Sequence, residues 1–174
     1  LLGSCVLFSL VGCFTFINLH LAAEPYGLGS SDLANIYMVY LIGMVITPLF
    51  TQIISRFGAK KTVLMAVSLS MVGVVATLAT PLWGIVLALA IMSTGVFITQ
   101  AATISYIAKN VTQNRSLASG LYYMGYYTGG TIGATVCGLA YARGAWGMTV
   151  LTLLAVQVFA LLVASYIMVA RKAS

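Results

Sequence analysis

The stretch TQIISRFGAKKTVLM, residues 51–65, places Arg56, Lys60 and Lys61 within six positions of a chain that has only eight Lys and Arg in all. Both flanks are strongly apolar. Three scarce cations in one short turn between apolar runs mark a boundary between two helices that lie in lipid, with the turn held in water or among headgroups.

Composition supports that reading. Of 174 residues, 61% are hydrophobic and 6% charged, whereas a soluble domain carries about 25% charged residues. Too few charges remain to cover a globule, and the solvent that suits this chain is a bilayer. The net charge of +6 does not point to nucleic acid, because eight cations spread through apolar sequence make no basic face. Cys5, Cys13 and Cys137 lie in apolar runs, odd in number and without metal-type spacing, and read as small packing residues. No metal and no cofactor is expected.

Crossing about 30 Å of hydrocarbon takes roughly 20 helical residues. Six runs qualify, at about 3–22, 33–55, 62–80, 82–108, 115–141 and 146–170. EPYGLGSSD, RFGAKK, TPLWG, KNVTQNRS and ARGAWG separate them, with Pro81 ending the third run. In lipid each segment must satisfy its own backbone hydrogen bonds, so the runs read as helices and the chain as an all-α polytopic membrane protein. Cytoplasmic loops are rich in Lys and Arg. With the 56–61 turn inside, Lys109, Arg115, Arg171 and Lys172 also fall inside, and only Arg143 falls outside. Both termini are then cytoplasmic, and the expected location is a bacterial inner membrane.

A shift of 87 residues, half the length, lays Tyr40 on Tyr127, Gly43 on Gly130 and Arg56 on Arg143. The second run exits inside and the fifth outside. The single bundle of residues 1–174 is therefore expected to consist of two inverted three-helix units, about 1–80 and 82–174, a common plan of secondary transporters.

These features together resemble the major facilitator superfamily. Its signature loop reads roughly G-x-x-x-D-R-x-G-R-R/K. In TQIISRFGAKK, Arg56, Gly58 and Lys60 match, Lys61 follows, and Thr51, Ser55 and Ala59 replace the glycine, the aspartate and one basic residue. The segment RSLASGLYYMGYYTGGTIGATVCG, residues 115–138, is similar to the fifth helix of C-terminal halves among twelve-helix drug:proton antiporters and sugar-efflux-like permeases. The resemblance covers the whole chain as helices seven to twelve. It implies an N-terminal six-helix half beyond this sequence, and a conformational role for the loop of Arg56, Gly58, Lys60 and Lys61. In the family the replaced aspartate helps latch a conformation; Ser55 cannot supply that charge.

Polar residues within spans tend to face a cavity or the bundle interior. The first, second, fourth and fifth runs carry Asn18, Tyr37, Tyr40, Thr47, Gln100, Thr103, Tyr122, Tyr123, Tyr126 and Tyr127, while the third and sixth are nearly all aliphatic, with Gln157 their one large amide. This agrees with the four pathway-lining helices that the resemblance implies. Tyr37, Tyr40, Met44 and Thr47 share a helical face, an aromatic and thioether wall suited to amphipathic substrates. Asn18 and Gln100 can orient a substrate or tie two helices together.

In the fifth run Gly125, Gly129 and Gly133 form one small-residue stripe, and Gly130, Ala134 and Gly138 an adjacent one. Such stripes let helix backbones approach closely. Tyr122 and Tyr126 lie on the Gly129 face, Tyr123 and Tyr127 on the Gly130 face. If one glycine face packs, its tyrosine pair packs with it; sequence leaves open which.

The leading functional reading is part of an alternating-access secondary transporter, a proton-coupled exporter of small amphipathic molecules or sugars. The alternative is a non-transporting membrane scaffold or a homodimeric half-size transporter, in which a second copy replaces the missing half. An enzyme is not expected: intramembrane catalysis needs paired groups, and one His with no deep acid supplies none. Glu24 and Asp32, the only acids, sit at helix boundaries. A coupling carboxylate would have to come from the absent half.

Overall fold

The computed structural model describes residues 1–79, 81–111 and 113–170, with the side chains at 42–44, 46–55 and 167–170 outside the description. Of the residues singled out above, Gly43, Met44, Thr47, Thr51 and Ser55 fall in the undescribed part as side chains, and Arg171 and Lys172 fall there entirely.

The described residues are predominantly helical: α1 Leu2–Ala22, α2 Ser30–Phe57, α3 Ala59–Ala76, α4 Leu82–Asn110 and α5 Arg115–Ala170. Backbone angles leave the helical region at Gly144 (φ −154°, ψ 30°) and Ala145 (φ 49°, ψ −147°), so α5 breaks into arms of residues 115–143 and 146–170. That break falls in the ARGAWG segment. Among the described residues, α1, α3, α4 and α5 are each long and apolar enough to cross a membrane. With its apolar composition, this makes the chain an all-α integral membrane protein.

Two boundaries differ from expectation. The turn after α2 is a single residue, Gly58, rather than a six-residue link. Gly58 adopts φ 79° and ψ 153°, a region that residues with a Cβ avoid, and its carbonyl accepts bonds from the Thr62 amide (3.2 Å) and hydroxyl (2.9 Å). Arg56 thus lies in the last turn of α2, where the helix dipole favours a cation, whereas Lys60 and Lys61 lie in the first turn of α3, where it does not. The other difference is the end of α3 at Ala76 rather than near 80. Thr77 turns its hydroxyl back onto the Val74 carbonyl (2.6 Å), and Leu78 and Ala79 form tight turns ahead of the extended Pro81.

Packing follows a regular plan. α1 packs chiefly on α5, and α4 chiefly on α3 and then α2; α1 also meets α4, and α3 meets α5. Ile17, Leu21, Ile85, Leu89, Met92 and Leu153 fill the larger core between α1, α4 and α5. Cys5, Val63, Val67, Ala102, Ala160 and Ala164 form a second core joining α1, α3, α4 and α5. Lipid tails are as apolar as these side chains, so close packing rather than water exclusion holds such helices together.

Candidate substrate pathway

α1 crosses the first arm of α5 at close range. A methyl group added at Gly129 would overlap the Ser4 backbone, and one at Gly133 would stand 2.7 Å from the Phe8 carbonyl oxygen. Gly125 is on the same face, where its carbonyl accepts a 2.8 Å bond from the Ser4 hydroxyl. Gly130 and Gly138 meet side chains instead, Leu7 and Phe16.

This geometry sorts the four tyrosines. Tyr126 is buried and Tyr122 half-buried against Gly3, on the packed face. The Tyr126 hydroxyl reaches Gln100 Oε1 at 3.4 Å, a weak contact. Tyr123 and Tyr127 stay exposed, their rings stacked at 6.4 Å. Thr131 and Thr135 continue that exposed line at the same spacing of four, with hydroxyls bonded to the carbonyls of Tyr127 and Thr131. Sequence reading stopped at the tyrosines and missed these threonines, although the period of four ran on through them.

Beside this stripe lies a groove of about 500 Å³ between α1 and α2, bordered by Leu7, Val11, Phe14, Thr15, Tyr37 and Tyr40 among others. Leu7 and Val11 also face Gly130, so groove and stripe adjoin. Phe14 meets Tyr37 in a stacked pair at 6.1 Å and Tyr40 edge-on at 5.5 Å, and Tyr40 meets Phe97 edge-on at 5.0 Å. Tyr37 is exposed and Tyr40 half-buried. Phe14 and Phe97 were not singled out from sequence, because nothing distinguishes a pathway phenylalanine from a core one before the helices are placed.

The remaining residues lie elsewhere or face inward. Half-buried Asn18 donates to the Phe14 carbonyl at 2.6 Å, and its Oδ1 is buried without a partner. Thr103 is buried, with its hydroxyl on the Thr99 carbonyl (2.7 Å), and borders a separate cavity of about 40 Å³ with Lys60 and Tyr106. It is not on the groove. Lys60 lies over the Tyr106 ring at 5.9 Å, and Arg56 and Lys61 are exposed. Among the described residues no cluster of three or more His, Cys, Asp or Glu could hold a metal.

A sequence model of the Major Facilitator Superfamily matches residues 1–174. The chain belongs to this family. Relatives include an uncharacterized MFS-type transporter, YybF, of Bacillus subtilis (strain 168), 26% identical over 146 residues that make up 84% of this chain and 36% of the relative. An uncharacterized transporter of Buchnera aphidicola subsp. Baizongia pistaciae (strain Bp) is 23% identical over 145 residues, 83% of this chain and 36% of that protein. The matched region thus spans a little over a third of each relative's length. Major Facilitator Superfamily membership places the chain among transporters rather than enzymes.

Proposed function

We propose that this chain is the C-terminal six-helix half of an alternating-access exporter, in which the groove and the stripe face an N-terminal half across a central cavity. The observation that carries this is the exposed line Tyr123, Tyr127, Thr131 and Thr135 beside the aromatic groove. Four polar side chains at one spacing on one helix face suit a water-filled pathway or a protein partner better than lipid tails. In this reading α2 and both arms of α5 each cross the membrane, giving two inverted triplets, with the 56–61 turn and both ends cytoplasmic.

The substrate class is small amphipathic molecules, sugars included. Tyrosine faces take apolar rings, while their hydroxyls and Gln100 supply hydrogen bonds. Efflux and proton antiport rest on the likeness of residues 115–138 to drug:proton antiporters. Glu24 and Asp32 are both exposed, in the loop after α1 and in the first turn of α2. The carboxylate that carries the proton therefore belongs to the other half.

The test is accumulation of an amphipathic fluorescent dye in cells or proteoliposomes containing the complete transporter, with and without a proton gradient. Efflux that falls on collapsing the gradient, and that falls again in Tyr127→Ala at unchanged membrane abundance, supports the reading. Gradient-independent efflux would remove the proton coupling, and no dye movement at all would favour a scaffold or another substrate class.

A further inference from the structure

Four helices meet at a small cavity away from the groove, where two buried polar atoms lie among mostly apolar walls. It is bordered by Cys5, Ser9, Ser70, Thr99 and Gln157, with four apolar neighbours, and measures about 20 Å³ as room for the centre of a water-sized sphere. Ser9 and Gln157 are 2% and 3% exposed. Gln157 Nε2 donates to Ser70 Oγ at 2.8 Å, but Gln157 Oε1 and Ser9 Oγ are buried with no partner. Exchanging the amide's oxygen and nitrogen leaves the count unchanged: one end meets Ser70 and the other remains orphaned. Ser9 is also unlike Thr94, Thr99 and Thr103, whose hydroxyls all bond the carbonyl four residues back.

We propose that this cavity binds one ordered water molecule that bridges Gln157 and Ser9. One water needs about 10–15 Å³ on this measure and two to four polar partners. Gln157 Oε1 accepts from it, and Ser9 Oγ donates or accepts. A leftover buried amide end in lipid costs enough that occupancy is favoured over an empty site. A cation is a poor alternative, because these oxygens are all neutral and the chain places no acid there. The water ties α1 to α5 and closes a polar joint that also includes α3 and α4. The inference is independent of the transport reading.

The test uses the complete transporter in nanodiscs. Ser9→Ala should lower the apparent Tm by about 2–4 °C, and the drop should shrink when Gln157→Leu is already present, since both variants lose the same bridge. An unchanged or raised Tm in Ser9→Ala, or strictly additive effects, would overturn the proposal, because deleting an orphaned hydroxyl from a dry cavity relieves a cost. If Ser9→Ala does not fold, X-ray radiolytic footprinting of the unaltered protein decides. Cys5, which borders the cavity and is 8% exposed, should oxidise faster in the unaltered protein than in Gln157→Leu, where the bridge to the water is lost. Equal rates would contradict the water.

Discussion

Gln157 and Ser70 are hydrogen-bonded at 2.8 Å and lie 87 positions apart, the same offset that lays Arg56 on Arg143 and Tyr40 on Tyr127. Residues related by a two-fold axis touch each other only near that axis. A direct bond between such counterparts is therefore what two inverted units would produce where α3 meets the second arm of α5. Ser70→Ala strands the Gln157 amide nitrogen and should cost about 1–2 kcal/mol. Ser68→Ala, on the exposed side of the same helix, should stay within about 0.5 kcal/mol. Thermal melts of both in detergent check the difference.

Gly129→Ala drives a methyl into the Ser4 backbone, which cannot move aside as a side chain could. We expect a loss of about 1–3 kcal/mol or more, seen as reduced folded protein in fluorescence-detected size-exclusion chromatography. Gly147→Ala, with nothing within 4 Å of the added methyl, should fold as the parent does.

The all-α character and the approximate positions of most helix breaks could be read from residue order, because span length, Pro81 and the cation-rich turn act locally. Choosing between the two tyrosine pairs could not, since that depends on which glycine face meets α1. The α3–α4 crossing also escaped notice. There a methyl at Gly73 would stand 2.5 Å from the Met92 amide nitrogen, and one at Gly95 would stand 2.5 Å from the Ala66 carbonyl oxygen. Ala66, Ser70 and Gly73 share a face of α3, but one glycine from each helix at this crossing gives a weaker signal than three in register. Gln157 read as an isolated amide in an aliphatic helix because its partner is 87 residues away.

Backbone angles predict two substitutions of opposite sign. Gly58→Ala puts a Cβ on a residue at φ 79° and should cost about 1–3 kcal/mol. Ala145 already holds φ 49°, so Ala145→Gly relieves strain and should gain about 1 kcal/mol, less what glycine's freedom in the unfolded chain returns. Paired melting curves report both.

Tyr40 holds the aromatic wall together between Phe14 and Phe97. In the complete transporter Tyr40→Ala should lower dye efflux about tenfold, a loss of about 1.4 kcal/mol, while Tyr40→Phe keeps most of it. Gln100→Ala should reduce efflux less, since its contact with Tyr126 is weak. Transport assays normalised to membrane abundance test this, and unchanged rates in Tyr40→Ala and Gln100→Ala would remove both from the pathway.

The most direct test of the inverted arrangement is the sidedness of its two matched helix exits. Phe57 and Ala142 are exposed and adjoin Arg56 and Arg143, so Phe57→Cys and Ala142→Cys leave both arginines in place. With Cys5, Cys13 and Cys137 replaced, a membrane-impermeant maleimide should label position 57 only from the cytoplasmic side and position 142 only from the opposite side. Labelling of both from one compartment would contradict the inverted triplets.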